Sequence, residues 1–120
     1  MNYNKYIIDT KSEEFALHII SLCKELKSDG LNFVLAKQLL RSGTSVGANL
    51  RQRVNAQSRR DFINKFQIAL KEADESAYWL ELLYKSGIIE ESKFTLLYNE
   101  LKEIIAIITA SLNKLKNNED

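Results

Sequence analysis

The stretch Gln38–Trp79, QLLRSGTSVGANLRQRVNAQSRRDFINKFQIALKEADESAYW, holds all five arginines, a Gly/Ser/Thr cluster set inside an apolar period, and the single Trp. Its first half poses the decisive question. Leu35, Leu39, Gly43, Val46 and Leu50 recur at steps of four, four, three and four, the spacing of one helical face. Local propensity points the other way: Gly43 and Gly47 each cost about 1 kcal/mol against alanine inside a helix, and Ser42, Thr44 and Ser45 compete for backbone hydrogen bonds. Periodicity predicts one long helix from about Phe33 to about Val54, with Asn32 as its cap and the small residues marking a surface where another backbone packs closely. The alternative is two helices joined by a Ser-Gly-Thr loop. Gly43, Val46, Gly47 and Leu50, with Trp79 from the second half, are assigned to close helix packing and subunit assembly.

Working outward, Ser58 followed by Asp61 is a second cap signature, so a third helix is expected to begin at Arg59. Its apolar face is Phe62, Phe66, Ala69, Ala73, Ala77, Leu80 and Leu83 or Tyr84, and Ser86-Gly87 closes it. A last helix is predicted from about Glu91 to Lys116, where Phe94, Leu97, Leu101, Ile104, Ile108, Ser111 and Leu115 form a heptad seam. Glu90 and Glu91 before it, and Lys114 and Lys116 at its end, match the helix dipole. Towards the amino terminus, Thr10 and Glu13 have capping-box spacing. The first helix is expected to start there, run through Phe15, Ile19, Leu22 and Leu26, and stop at Asp29-Gly30.

Four long helices with short connections must alternate in direction, which gives an all-α, up-and-down antiparallel four-helix bundle as a single domain over residues 1–120. Absence of proline and a total of four glycines suit this class. Ile105, Ile107 and Leu112 lie beside the seam of the last helix and exceed what one narrow core uses, so oligomerisation is expected.

Several function classes are excluded or disfavoured by composition. A formal charge of +1 recruits neither nucleic acid nor membrane globally. No stretch approaches the roughly 20 apolar residues of a membrane helix. A lone Cys23 and the absence of a signal-peptide-like apolar run make the cytoplasm the expected compartment. His18 and Cys23, the only residues of their kinds, are five apart and about 140° out of register on a helix, so no metal site is expected. His18 reads as a core-edge residue and Cys23 as a small hydrophobe. Ser42, Thr44 and Ser45 lack a base nearby in sequence, and Glu72/Glu75 and Asp74/Glu81 read as solvated helix surface. Asp61/Lys65 and Lys71/Glu75 stand at ion-pair spacing on the third helix. SGTSVG is not a phosphate loop. No cofactor, small-molecule substrate or enzymatic activity is expected.

Charge distribution is the one feature above background. Between Leu31 and Arg60 the chain carries Lys37, Arg41, Arg51, Arg53, Arg59 and Arg60 and no acid. Two readings remain open: pairing with the carboxylates of the third helix, within or between subunits, or contact with nucleic-acid phosphates, which suit the guanidinium fork. Lys37, Arg41 and Arg51 fall within about an 80° arc, while Arg53 points nearer the apolar face.

LLRSGTSVGANL, followed by NAQSRRDFINKFQIALKEADESAYWLELL, resembles the four-helix-bundle proteins encoded by intervening sequences of bacterial 23S ribosomal RNA genes. The resemblance covers most of the chain and implies a ring-shaped homo-oligomer, a pentamer, with no assigned biochemical role. A related bundle is the accessory protein of diversity-generating retroelements, which binds reverse transcriptase and nucleic acid through a basic surface. That implies, as the alternative function, a nucleic-acid-binding accessory subunit. Where the family reads Asn-Ile-x-Glu-Ala-Gln, this chain has Asn49-Leu50-Arg51-Gln52-Arg53-Val54, losing an acid at Gln52 and gaining a cation at Arg53.

Overall fold

The computed structural model describes residues 3–26 and 30–117, with side chains from Ile7 onward. Four helices and no strand are found among them: α1 (Tyr3–Glu25), α2 (Gly30–Gln52), α3 (Arg59–Lys85) and α4 (Glu91–Asn117), with a short 3-10 turn at Arg53–Asn55. Each helix packs on its neighbour in sequence and α1 closes against α4, while the diagonal pairs do not meet. The result is an up-and-down bundle of 50 × 24 × 21 Å.

The Gly/Ser/Thr cluster is helical throughout, as its period predicts. Its hydroxyls fold back onto the helix: Thr44 Oγ1 donates to the Leu40 carbonyl at 2.7 Å, and Ser45 Oγ to Arg41 at 2.6 Å. The competing donors are thereby satisfied without breaking the turn. Gly43 and Gly47 let α2 approach α1. A Cβ on Gly43 would lie 3.3 Å from Ile19 Cγ1, and one on Gly47 would lie 3.3 Å from Ser12 Oγ. These glycines, with Val46 and Leu50 at zero exposure, pack inside one subunit.

Helix ends follow local chemistry where it is strong. Ser58 Oγ accepts the Asp61 amide at 3.0 Å and caps α3, while the Asp61 carboxylate accepts from Gln57 N, one residue before the cap. At the far end Ile88 N donates to Leu83 O and Gly87 N to Tyr84 O, with Gly87 at φ 79°, the six-to-one and five-to-two pair of a Schellman stop. Tyr84, Phe94 and Tyr98 then stack across the α3/α4 turn at centroid distances of 4.5 and 5.0 Å.

Four expectations need correction. The first helix does not start at Thr10–Glu13. It begins at Tyr3, because Ile8 and Ser12 are buried against the bundle and hold the extra turns in place. Asn32 is not a cap, since α2 already starts at Gly30, whose φ of 55° turns the chain into the helix. Leu112 belongs to the core at 5% exposure, and Ile105 and Ile107 are half-buried against it. Ile63, absent from the predicted face of α3, is buried at 6%. The stop assigned to Asp29 lies outside the described residues.

Candidate interaction surfaces

The basic block does not behave as one surface, because the turn after α2 sends its cations in different directions. Arg53 follows the last α-helical residue, and the 3-10 geometry swings it inward to 3% exposure. Its Nη1 and Nη2 donate to the two Asp9 carboxylate oxygens at 2.7 and 3.0 Å, and Nη1 also reaches the Leu50 carbonyl at 2.7 Å. The guanidinium carbon lies 5.6 Å from the centre of the Phe66 ring. One side chain therefore ties α1, α2 and α3 together. It presents nothing to a phosphate in solution.

Arg41 is exposed but engaged. Its fork donates to Glu75 at 2.6 Å and to Glu72 at 3.2 Å on α3. The hydrogen bond to Glu75 and then the charge of Glu72 hold the guanidinium above its ordinary pKa. This is the pairing with third-helix carboxylates that the sequence left open, and it takes Glu75 away from Lys71. The Asp61/Lys65 pair does form, at 3.9 Å. Arg59 donates to the Leu115 carbonyl at 2.9 Å and fastens the start of α3 to the end of α4. Lys37, Arg51 and Arg60 form no ion pair among the described residues. Arg60 and Lys116 line an open depression of about 750 Å³ at the base of α3. Arg51, Arg59, Arg60, Lys114 and Lys116 thus gather at one end of the bundle. Lys37 lies far from them, near the start of α2.

A second feature has no counterpart in the sequence reading. Between α1 and α2 runs a groove whose upper half, about 630 Å³, is lined by Ile20, Cys23, Leu26, Phe33, Ala36 and Leu40, with Lys24 and Lys37 on its rims. Thr44 passes it into a polar lower half beside Gly47, Ala48 and Arg51. The signal for it was present: Phe33, Leu40 and Gly47 recur every seven residues, one step round the helix from Leu39 and Val46. Phe33 keeps 49% of its surface in this groove, and Leu17, Leu31 and Val34 elsewhere on the same two helices keep 55 to 65% of theirs.

The lone reactive residues lie apart. His18 Nδ1 meets both Glu100 oxygens at 2.8 and 2.9 Å on the α4 side, on the surface instead of at the core edge. Cys23 donates to the Ala36 carbonyl on the α2 side, and burial pushes its thiol pKa up, which keeps it protonated. Trp79 is half-buried between Tyr78 and the core, with its indole nitrogen shielded and without a hydrogen-bond partner among the described residues. No group of three or more His, Cys, Asp or Glu side chains among the described residues is placed to hold a metal ion. No helix there is long and apolar enough to cross a membrane.

Comparison with known proteins agrees with the geometry. A crystal structure of a protein with unknown function from the S23 ribosomal protein family of Bacteroides thetaiotaomicron is similar over 92% of this chain and 98% of its own. The two share 44% sequence identity and superpose with a TM-score of 0.87. No curated protein matches. The model of one family matches residues 4–110, nearly the whole bundle including the glycine face and the arginine turn, and by that match the chain belongs to the 23S rRNA-intervening sequence protein family.

Proposed function

We propose that the protein is a non-enzymatic, cytoplasmic homo-oligomer that acts by binding other macromolecules through the faces of its bundle, with five subunits as the number the family resemblance implies. The observation that carries this reading is an apolar groove lined by Ile20, Leu26, Phe33 and Leu40, on a bundle that also leaves Leu17, Leu31 and Val34 more than half exposed. Apolar surface concentrated in that way favours association over a monomer in water. The non-enzymatic part is supported by the state of the hydroxyls: Ser42 Oγ donates to a backbone carbonyl, and Ser76 Oγ bonds Ser42 and a carbonyl, with no base beside either.

Size-exclusion chromatography with light scattering tests it. A mass several times the 13.8 kDa subunit is expected, and a monomer at micromolar concentration would end the proposal. The second reading, a nucleic-acid-binding accessory subunit with a reverse-transcriptase-type partner, is favoured by the cluster of Arg51, Arg60, Lys114 and Lys116 at one end. Its mark is a nucleic-acid-like ratio of absorbance at 260 and 280 nm in protein purified at low salt. That excess should be stripped as salt rises, because released counterions drive such binding. Reversing the charge of Arg51 and Arg60 should abolish it. Arg41 and Arg53 variants, whose guanidinium groups are held by carboxylates of the same chain, are the wrong probes.

A further inference from the structure

We infer that the apolar groove between α1 and α2 is a docking site for an amphipathic helix of another protein, one whose apolar stripe is flanked by acids on both sides. The inference rests on the reading above of a bundle that binds other macromolecules. It names the partner for this groove and leaves Leu17, Leu31 and Val34 for contacts between copies.

The floor of the groove selects a helix. Its hydrogen-bonding groups are already used: Cys23 Sγ donates to the Ala36 carbonyl, Thr44 Oγ1 donates to that of Leu40, and the backbones on either side run within α1 and α2. An occupant finds no partner there for a polar group. An extended peptide would bring its own amides and carbonyls against Ile20, Leu26, Phe33 and Leu40 and leave those on that side unpaired. A helix satisfies its backbone internally and presents side chains alone. Length agrees, because the groove follows α2 from Phe33 to Thr44, about 16 Å or roughly three helical turns.

The rims select acids. Lys24 on α1 and Lys37 on α2 are exposed, and neither forms an ion pair among the described residues. Counting in opposite directions from the contact of Cys23 with Ala36 puts the two lysines within about two residues of the same height, roughly 3 Å. The helices that form the groove offer them no acid: α2 carries none, α1 has none from Phe15 to Lys24, and Glu25 is turned to α4, where Lys93 donates to it at 2.8 Å. A docked helix with apolar side chains at i, i+3, i+4 and i+7 and an acid on each flank of its middle turn sets a carboxylate beside each lysine. A second copy of this chain is poorly furnished for the role. On α3 and α4, Glu72 and Glu75 are held by Arg41, Glu81 by Tyr98, Glu100 by His18 and Glu103 by Lys11.

Fluorescence anisotropy with synthetic peptides tests the site. The probe is a fluorescein-labelled, hydrocarbon-stapled helix of about 15 residues, enough to span the groove, with leucine at i, i+3, i+4 and i+7 and glutamate on both flanks. Saturable binding to the wild-type protein is expected, at least about tenfold tighter than for the same helix with lysine on the flanks, where like charges meet. The double variant Lys24→Glu/Lys37→Glu should reverse that order, and Phe33→Asp should remove binding of both peptides. All three positions are about half exposed or more, so each variant should keep the wild-type helical circular dichroism. Light scattering on the same samples keeps the two readings apart. The wild-type mass reports on self-assembly as such, whatever the peptides do, and Phe33→Asp should retain it. A glutamate helix that does not saturate, or a preference that the lysine reversal leaves unchanged, would overturn the inference. So would equal binding by a version broken with proline, which would mean an extended occupant, or a fall in mass for Phe33→Asp, which would make the groove a contact between copies.

Discussion

Replacing Asp9 with alanine should cost roughly 3 kcal/mol of folding stability, the range for breaking a buried ion pair from one side. Arg53 is the buried member, its side chain 2% exposed against 42% for Asp9. Without the carboxylate, the guanidinium loses two charge-assisted hydrogen bonds in a buried setting, while the Leu50 carbonyl and the Phe66 ring remain among its contacts. Arg53→Met should cost less, about 1 to 2 kcal/mol, because Asp9 can rehydrate and the methionine refills part of the volume over Phe66. In the double variant Asp9→Ala/Arg53→Met most of the Asp9→Ala loss should disappear, since the guanidinium that the carboxylate accepts from is then gone as well. Urea denaturation of the four proteins gives the coupling energy directly. A loss below about 0.5 kcal/mol for Asp9→Ala would show that the pair has no net role, as for ordinary surface pairs.

Gly43→Leu is expected to cost at least about 3 kcal/mol, at the upper end for overpacking a filled core. The site is closed: a Cβ there already presses on Ile19 and stands 3.6 Å from Phe15 Cε2, so further carbons have nowhere to go unless α1 moves away. Gly43→Ala is the informative contrast. It gains about 1 kcal/mol of helix propensity, which should offset most of the squeeze on the Ile19 side chain and leave stability nearly unchanged. Gly47→Leu should fall between them, because that position is only half-buried and opens towards the lower groove. Thermal melting followed by circular dichroism separates the three. At this chain length about 4 °C of melting temperature corresponds to 1 kcal/mol. Equal losses for Gly43→Leu and Gly43→Ala would mean that backbone freedom, and not the approach of α1, accounts for the glycine.

Residues that fold by their own period or caps were legible in the sequence. Leu39, Val46 and Leu50 announce α2 through a cluster that propensity would have broken, and Ser58, Asp61 and Gly87 mark the limits of α3 to within a residue. Segments that depend on distant partners were not legible. The turns of α1 before Thr10 carry Tyr, Asn and Ile, which make a weak helix alone, and they are held by Ile8 in the core and by Asp9 on Arg53, 44 residues away. Nothing in a linear reading joins those two. Arg53 accordingly looked like one more surface cation, although its position near the apolar face of α2 was visible. Leu112 was read as surplus because a single heptad line was drawn through α4, whereas a helix contacting both α1 and α3 uses a wider stripe. The α1/α2 groove went unread for a related reason. Phe33 and Leu40 lie on the flank of an apolar helix, and only the placement of α1 decides whether such a flank is covered.

The closure of α1 onto α4 sets the order of folding. Three helix pairs meet across connections of a few residues, so their contacts are local and form early, as in other fast-folding bundles. The α1/α4 seam instead joins residues 92, 82 and 68 apart, through Lys11–Glu103, His18–Glu100 and Lys93–Glu25. All three pairs lie at the surface, and that of His18 carries full charge only when the imidazole is protonated. Closing that long loop over the shared core, with ion pairs that are weak and screened by salt, should be the last step of folding and its reversal the first step of unfolding. In hydrogen exchange, α1 should then form the least protected cooperative unit of the chain, with α2, α3 and α4 exchanging later and together.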